Sequence, residues 1–137
     1  MKLEGGCLCG SVRYRTESDP VMTVACQCHS CQRQTGTSFS VILAYKKGTL
    51  EFTKERPIFY EHKGGSGKFV RRHFCAKCGS PIMAELEATP ELDWLKTGTL
   101  DDVAAPWLTP QVSIWGASAQ AWMEWPEEVH QFSENAG

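Results

Sequence analysis

The sequence predicts a mainly β fold, on three observations. Apolar and polar residues alternate over short runs, the period of a strand with one face on a core. Glycines and prolines recur between those runs and break them at turn-sized intervals. No segment carries an apolar stripe at helical spacing, and no internal repeat of useful length is present. At 137 residues the chain is the size of one domain over 1–137, enough to bury one core and not two.

Taken in order, Val12-Arg13-Tyr14-Arg15 alternates and gives a first strand, with Cys7-Leu8-Cys9 just ahead of it. After the turn at Asp19-Pro20, the β-prone run 21–25 delivers the chain into Cys26-Gln27-Cys28-His29-Ser30-Cys31. Residues 30–34 fit one helical turn ending near Gly36. Phe39, Val41, Leu43 and Tyr45 share one face of a strand, which Lys46-Lys47-Gly48 turns back into 49–53. The runs 58–62 and 68–74 flank Gly64-Gly65-Ser66-Gly67 as the arms of a hairpin. The second arm enters Cys75-Ala76-Lys77-Cys78-Gly79, the shape of a zinc knuckle, where a glycine lets backbone amides approach the sulfurs. Further strands are expected over 82–86, 94–100 and 111–115, and a loose tail over 127–137. Trp107, Trp115, Trp122 and Trp125 are assigned mostly to core packing, with one or two left for a ligand groove or a dimer contact.

A formal net charge of -2 gives no global reason to expect nucleic acid or an anionic membrane as partner. Lys68, Arg71, Arg72 and His73 form a local basic stretch, but strand alternation puts Arg71 and His73 on one face and Arg72 on the other, so they do not make one patch. No run of about 18 apolar residues occurs and Met1 to Gly6 leads into no apolar segment, so a cytoplasmic protein that meets no membrane is expected. In that reducing setting seven cysteines, an odd number, favour metal ligation over a disulfide scaffold.

The cysteines divide by ligand counting. Structural zinc takes four ligands in a tetrahedron. Cys7 and Cys9 make half a site, which Cys75 and Cys78 complete, stapling the N-terminal strand to the hairpin. Cys26, Cys28 and Cys31 remain, a site with three ligands and an exchangeable fourth position, as catalytic zinc has. Two zincs per chain are therefore expected. A site with three thiolates keeps one net negative charge, which suits it to holding an exogenous thiol as a nucleophilic thiolate. His29, His73 or a carboxylate closing this site into a second inert staple is the competing reading, and an iron–sulfur centre lacks a fourth cysteine. His29 is a candidate base toward a bound thiol. Arg33 is a candidate to balance the anionic site or meet a substrate carboxylate, against the plainer reading of a solvated side chain.

Gly6-Cys7-Leu8-Cys9-Gly10-Ser11-Val12-Arg13-Tyr14, Cys26-Gln27-Cys28-His29-Ser30-Cys31 with Gly36, and Arg72-His73-Phe74-Cys75-Ala76-Lys77-Cys78-Gly79-Ser80-Pro81 together resemble the glutathione-dependent formaldehyde-activating enzyme family. The resemblance implies an Mss4-like fold of folded-over antiparallel sheets, a structural zinc on Cys7, Cys9, Cys75 and Cys78, and a catalytic zinc on Cys26, Cys28 and Cys31. It implies a carbon–sulfur lyase-type reaction joining or separating a thiol and an aldehyde, with glutathione and formaldehyde as the family's pair. Gln32 stands where the family often has arginine, and Ser113 where a histidine is common. The alternatives are a zinc-stabilised binding module without catalysis and a nucleic-acid or chromatin-associated protein. A monomer or homodimer is expected.

Overall fold

The computed structural model describes residues 1–135 of the chain. Its elements are β1 (Leu3–Gly6), β2 (Arg13–Thr16), β3 (Met22–Cys26), α1 (His29–Thr35), β4 (Ser40–Lys46), β5 (Glu51–Phe52), β6 (Ile58–Lys63), β7 (Phe69–Phe74), β8 (Pro81–Leu86), β9 (Leu92–Lys96), β10 (Val112–Ile114) and β11 (His130–Gln131), with short 3-10 turns after β9, before β10 and after it. They form a three-stranded sheet in the order β1-β2-β5 and an eight-stranded sheet in the order β11-β10-β3-β4-β9-β8-β7-β6. Pairing is antiparallel except at β10, which runs parallel to both β3 and β11. The mainly β class predicted from alternation is the class observed.

Differences from the sequence expectation have local causes. The run expected to be one strand over 94–100 stops at Lys96, where a 3-10 turn is closed by the Leu100 amide bonding the Thr97 carbonyl and the Thr99 hydroxyl bonding the Lys96 carbonyl. β1 is glycine-rich and carries no strand propensity. Its glycine is demanded by close approach, because a Cβ at Gly5 would collide with the Thr99 carbonyl and the Tyr14 hydroxyl. The single helical turn expected over 30–34 is the helix α1, ended by Gly36 at φ 70°. The stretch expected as a loose tail is held by β11 and buried Val129 through residue 135, with the Trp115 amide bonding the Glu134 carbonyl; residues 136 and 137 lie outside the described residues. Of the four C-terminal tryptophans none is buried, and Trp107 and Trp122 are exposed.

The pairing registers assign two faces to the large sheet. Ala25 lies opposite Val41, Thr23 opposite Leu43, Leu43 opposite Leu95 and Leu95 opposite Met83, so these side chains share one face. That face packs on the small sheet, with Val12, Tyr14, Leu43, Tyr45, Leu95 and Met83 in a common core. The other face carries Val24 opposite Ile42, Ala44 opposite Trp94, Trp94 opposite Ala84 and Ala84 opposite Arg72. A second apolar cluster of Val24, Ala44, Ala84 and Trp94 occupies it. This second face has no sheet over it, and the candidate site is built there.

On the first face, His73 Nε2 lies 2.6 Å from Glu85 Oε1 and Lys47 Nζ donates to Glu85 Oε2 at 2.6 Å. Burial alone would raise Glu85, but Lys47 and His73 outweigh it and hold its carboxyl below the usual range. A carboxylate depressed on folding contributes stability that is full above its unfolded value and is lost as pH falls through its folded value. Glu85→Gln is therefore expected to lower the melting temperature by roughly 3 °C at neutral pH, with wild type and variant converging in acid. Scans by circular dichroism from pH 7 down to pH 3 check this, and a constant gap would contradict it.

Candidate metal centre and substrate pocket

The sulfurs of Cys7, Cys9, Cys75 and Cys78 all lie within 4.8 Å of one another. Cys7 and Cys9 are 3.6 Å apart and Cys9 and Cys75 are 3.8 Å apart. A tetrahedron of thiolates about 2.3 Å from a zinc has edges of about 3.8 Å, so the spacing fits such an ion. The backbone prepares the sulfurs to be anions: the Val12 amide donates to Cys7 at 3.2 Å, and the Lys77 and Cys78 amides donate to Cys75 at 3.3 and 3.4 Å. Gly79 at φ 79° makes the tight turn that aims them, as expected of the knuckle. Burial pushes the Cys7 thiol up, yet the Val12 amide and its sulfur neighbours bring it to about 7. The Ser80 hydroxyl, 3.2 Å away, leads in drawing Cys78 down to about 5.

Cys26, Cys28 and Cys31 form the second group, again with sulfurs within 4.8 Å. Cys26 ends β3 on the second face, Cys28 caps α1 and Cys31 is buried in its first turn. The Cys31 amide donates to the Cys28 sulfur at 3.2 Å, which ties helix start to ligand geometry. Gln32 anchors the whole loop, since its amide nitrogen donates to the carbonyls of Gln27 and Ser118, each at 2.9 Å. Among the described residues no histidine or carboxylate joins this group. His73 lies on the opposite face of β7 with Glu85, and His29 Nε2 accepts from Arg33 Nε at 3.1 Å on the exposed side of α1. The structure thus groups the seven cysteines as four and three and leaves the three with no fourth protein ligand among the described residues.

Crowding decides the electrostatics. Three like charges at this separation cannot coexist without a compensating cation. Contact with Cys28 and Cys31 pushes Cys26 far above the ordinary thiol range. Cys31 moves far below it, through Cys26 and Cys28 first and then through Lys96 and Arg72 against the effect of burial. Those two cations are what sequence reasoning missed. Arg72 is buried, with Nη1 3.8 Å from the Cys31 sulfur and Nε donating to His62 Nε2 at 2.9 Å. Lys96 is buried and its Nζ donates to the Ser40 hydroxyl at 2.7 Å. Burial presses that ammonium toward neutrality, and the Cys31 thiolate opposes this. Arg33, the nearest arginine in sequence, is exposed and paired with His29. The usable signal was alternation, which separates Arg72 from Arg71 and His73.

The three cysteines open on a pocket of about 420 Å³. Its walls are Val24, Ile42, Ala84, Leu86, Trp94 and Ile114 of the second apolar cluster, the first, third and fifth buried and the others partly buried. The hairpin tip at Gly64, Gly65 and Ser66 and the segment around Trp115 and Ser118 form the rim. Arg72 and Lys96 line the same pocket, so sulfur, cation and apolar wall face one space.

The sequence pattern of the family described as glutathione-dependent formaldehyde-activating enzyme matches residues 2–118. A Halomonas elongata protein provisionally named a glutathione-dependent formaldehyde-activating enzyme is 31% identical over 96 residues, covering 67% of this chain and 61% of its own. The chain therefore spans about three fifths of that relative's length. The crystal structure of a Rhodobacter sphaeroides protein superposes with a TM-score of 0.57 at 20% identity, covering 75% of this chain and 91% of that one, a likeness of fold alone. No helix among the described residues is long and apolar enough to cross a membrane. Matched over residues 2–118, the chain belongs to the glutathione-dependent formaldehyde-activating enzyme family.

Proposed function

We propose that the chain is a zinc-dependent carbon–sulfur lyase-type enzyme that forms or cleaves the adduct between a thiol and an aldehyde, with Cys7, Cys9, Cys75 and Cys78 holding a structural zinc and Cys26, Cys28 and Cys31 a second one. The observation that carries it is the three-sulfur group, short of one ligand and facing a pocket beside two buried cations. A family whose name joins glutathione and formaldehyde supports the reaction type. Zinc held by three thiolates would supply an open position that lowers the pKa of an incoming thiol near neutral pH.

The chain's own groups account for the rest. In the forming direction a sulfur lone pair makes the C–S bond, the carbonyl π pair moves onto oxygen, and that oxygen must gain a proton. The Lys96 ammonium has three protons and a single side-chain partner, Ser40, so it has donors to offer the developing oxygen. Arg72 holds a fixed positive charge against the sulfur group and is oriented by His62. The apolar walls exclude water and keep thiol and aldehyde together, which contributes through proximity. Cleavage runs the same path backward. His29 lines the pocket at the start of α1, and Arg33 bonds it from outside the lining, so Arg33 would act on a substrate only through His29.

Elemental analysis of protein purified without chelator is expected to give two zincs per chain, one lost in Cys28→Ser and one in Cys75→Ser. Adduct formation or breakdown, followed for several thiol–aldehyde pairs, should exceed the uncatalysed rate and drop at least about 100-fold in Cys28→Ser with the circular dichroism spectrum retained. No excess rate with any pair would sink the reading. Lys96→Met removes a buried ammonium, so it should stabilise metal-stripped protein by about 1 kcal/mol in urea unfolding. The same change should weaken metal retention at the three-cysteine group about tenfold in chelator competition.

A further inference from the structure

The reading of the three-cysteine group as the thiol site leaves open which thiol, and the pocket wall bears on it. Beyond the sulfurs, the sheet side of the space offers no hydrogen bond, with Val24 and Ile42 on neighbouring strands, Ala84 and Leu86 on β8 and Ile114 at the end of β10, while the polar lining residues His29, Ser30, Ser66, Ser118 and Asn135 come from α1 and the segments around the pocket. Trp94 adds a ring whose only polar atom, Nε1, donates to Thr89 Oγ1 at 3.0 Å. The buried cations stand at the sulfur end of the space. Arg72 is bonded to His62 and faces Cys31, and Lys96 is bonded to Ser40 beside the same sulfurs. Lys68 at the rim is the remaining lining cation.

A peptide thiol such as glutathione brings two carboxylates, an ammonium and two amides. Laid along these walls, its polar groups would lose water without gaining partners, which is unfavourable for each group so buried. An apolar body loses nothing there and gains the burial of both surfaces. A volume of about 420 Å³ lies in the range of small-molecule pockets and has room for a ring with a short linker. We propose that the thiol taken at this site is one with an apolar, uncharged body of aromatic or branched aliphatic type, seated on Val24, Ile42, Ala84, Leu86, Trp94 and Ile114, with its sulfur at the open position of the Cys26, Cys28 and Cys31 group.

The test is a titration of cobalt-loaded full-length chain with 2-phenylethanethiol, 2-mercaptoethanol and glutathione, read by the visible and near-ultraviolet bands of the cobalt–thiolate centre. 2-Phenylethanethiol is expected to bind at least about tenfold more tightly than either of the others. Ala84→Leu should fill the floor, weakening 2-phenylethanethiol at least about fivefold more than it weakens 2-mercaptoethanol. If that variant does not fold, Leu86→Ala at the partly exposed wall should weaken the aromatic thiol alone by several-fold. Glutathione binding as tightly as or more tightly than 2-phenylethanethiol overturns the proposal while the thiol site stands. An absence of band changes with all three thiols overturns the thiol-site reading, and this proposal with it.

Discussion

A β-sheet whose central strands are apolar on both faces has to be covered on both, and in this chain only one face receives a second sheet. β4 and β9 are the source of the constraint. Leu43, Tyr45 and Leu95 point one way, while Ile42, Ala44 and Trp94 point the other. The small sheet β1-β2-β5 covers the first set and buries Leu43, Tyr45 and Leu95 completely. Among the described residues, α1, a glycine-rich hairpin tip, the segment after β10 and Asn135 stand against the second set, and they reach around the apolar patch rather than over it. The pocket is the part of that face they leave uncovered.

Charge placement follows from the same registers. Cys26 ends β3 on the second face, and β4, β9, β8 and β7 pair in turn beside it. Any residue on that face near the cysteine end points at the sulfurs, and the sequence puts Lys96 and Arg72 there. Burying an arginine and a lysine together is unfavourable unless negative charge meets them. Three crowded thiols need positive charge for the converse reason. Each makes the other tolerable, and the excess negative charge of a metal held by three thiolates would complete the balance.

The division of seven cysteines into four and three was legible because ligand number and short spacing are local properties. Cys26, Cys28 and Cys31 lie within six residues, and Cys75 to Cys78 make a knuckle that announces a missing half. Alternation likewise located β2 and β4, and the glycine-rich link at 64–67 located the hairpin of β6 and β7. What remained hidden depends on pairing across the sheet. Arg33 is close to the cysteines in sequence, but helical spacing carries it outward to His29, whereas Lys96 reaches them only because β9 lies two strands from β3. Nothing in the run around Lys96 records that neighbour. The tryptophans show the same limit: Trp94, at the start of an expected strand, is buried at the pocket, while those assigned to core packing in the C-terminal stretch are not buried. β1 and β11 were invisible for another reason, since Gly5 and Gly6 are chosen for close approach and β11 is two residues held by β10.

The two cysteine groups then differ by which face they serve. Cys7 and Cys75 are part of the core between the sheets, and with Cys9 and Cys78 they offer four sulfurs, so a cation there would have no open position for another molecule. Cys26, Cys28 and Cys31 sit at the edge of the face that lacks a layer, where a cation is left with an open side and an apolar floor. A bound molecule with an apolar body does for this face what β1-β2-β5 does for the other, removing partly buried Ile42, Leu86 and Ile114 from water. Its binding energy therefore draws on the same burial that folds the chain. The half-covered state of the sheet is the physical reason the site selects for what the missing layer would have supplied.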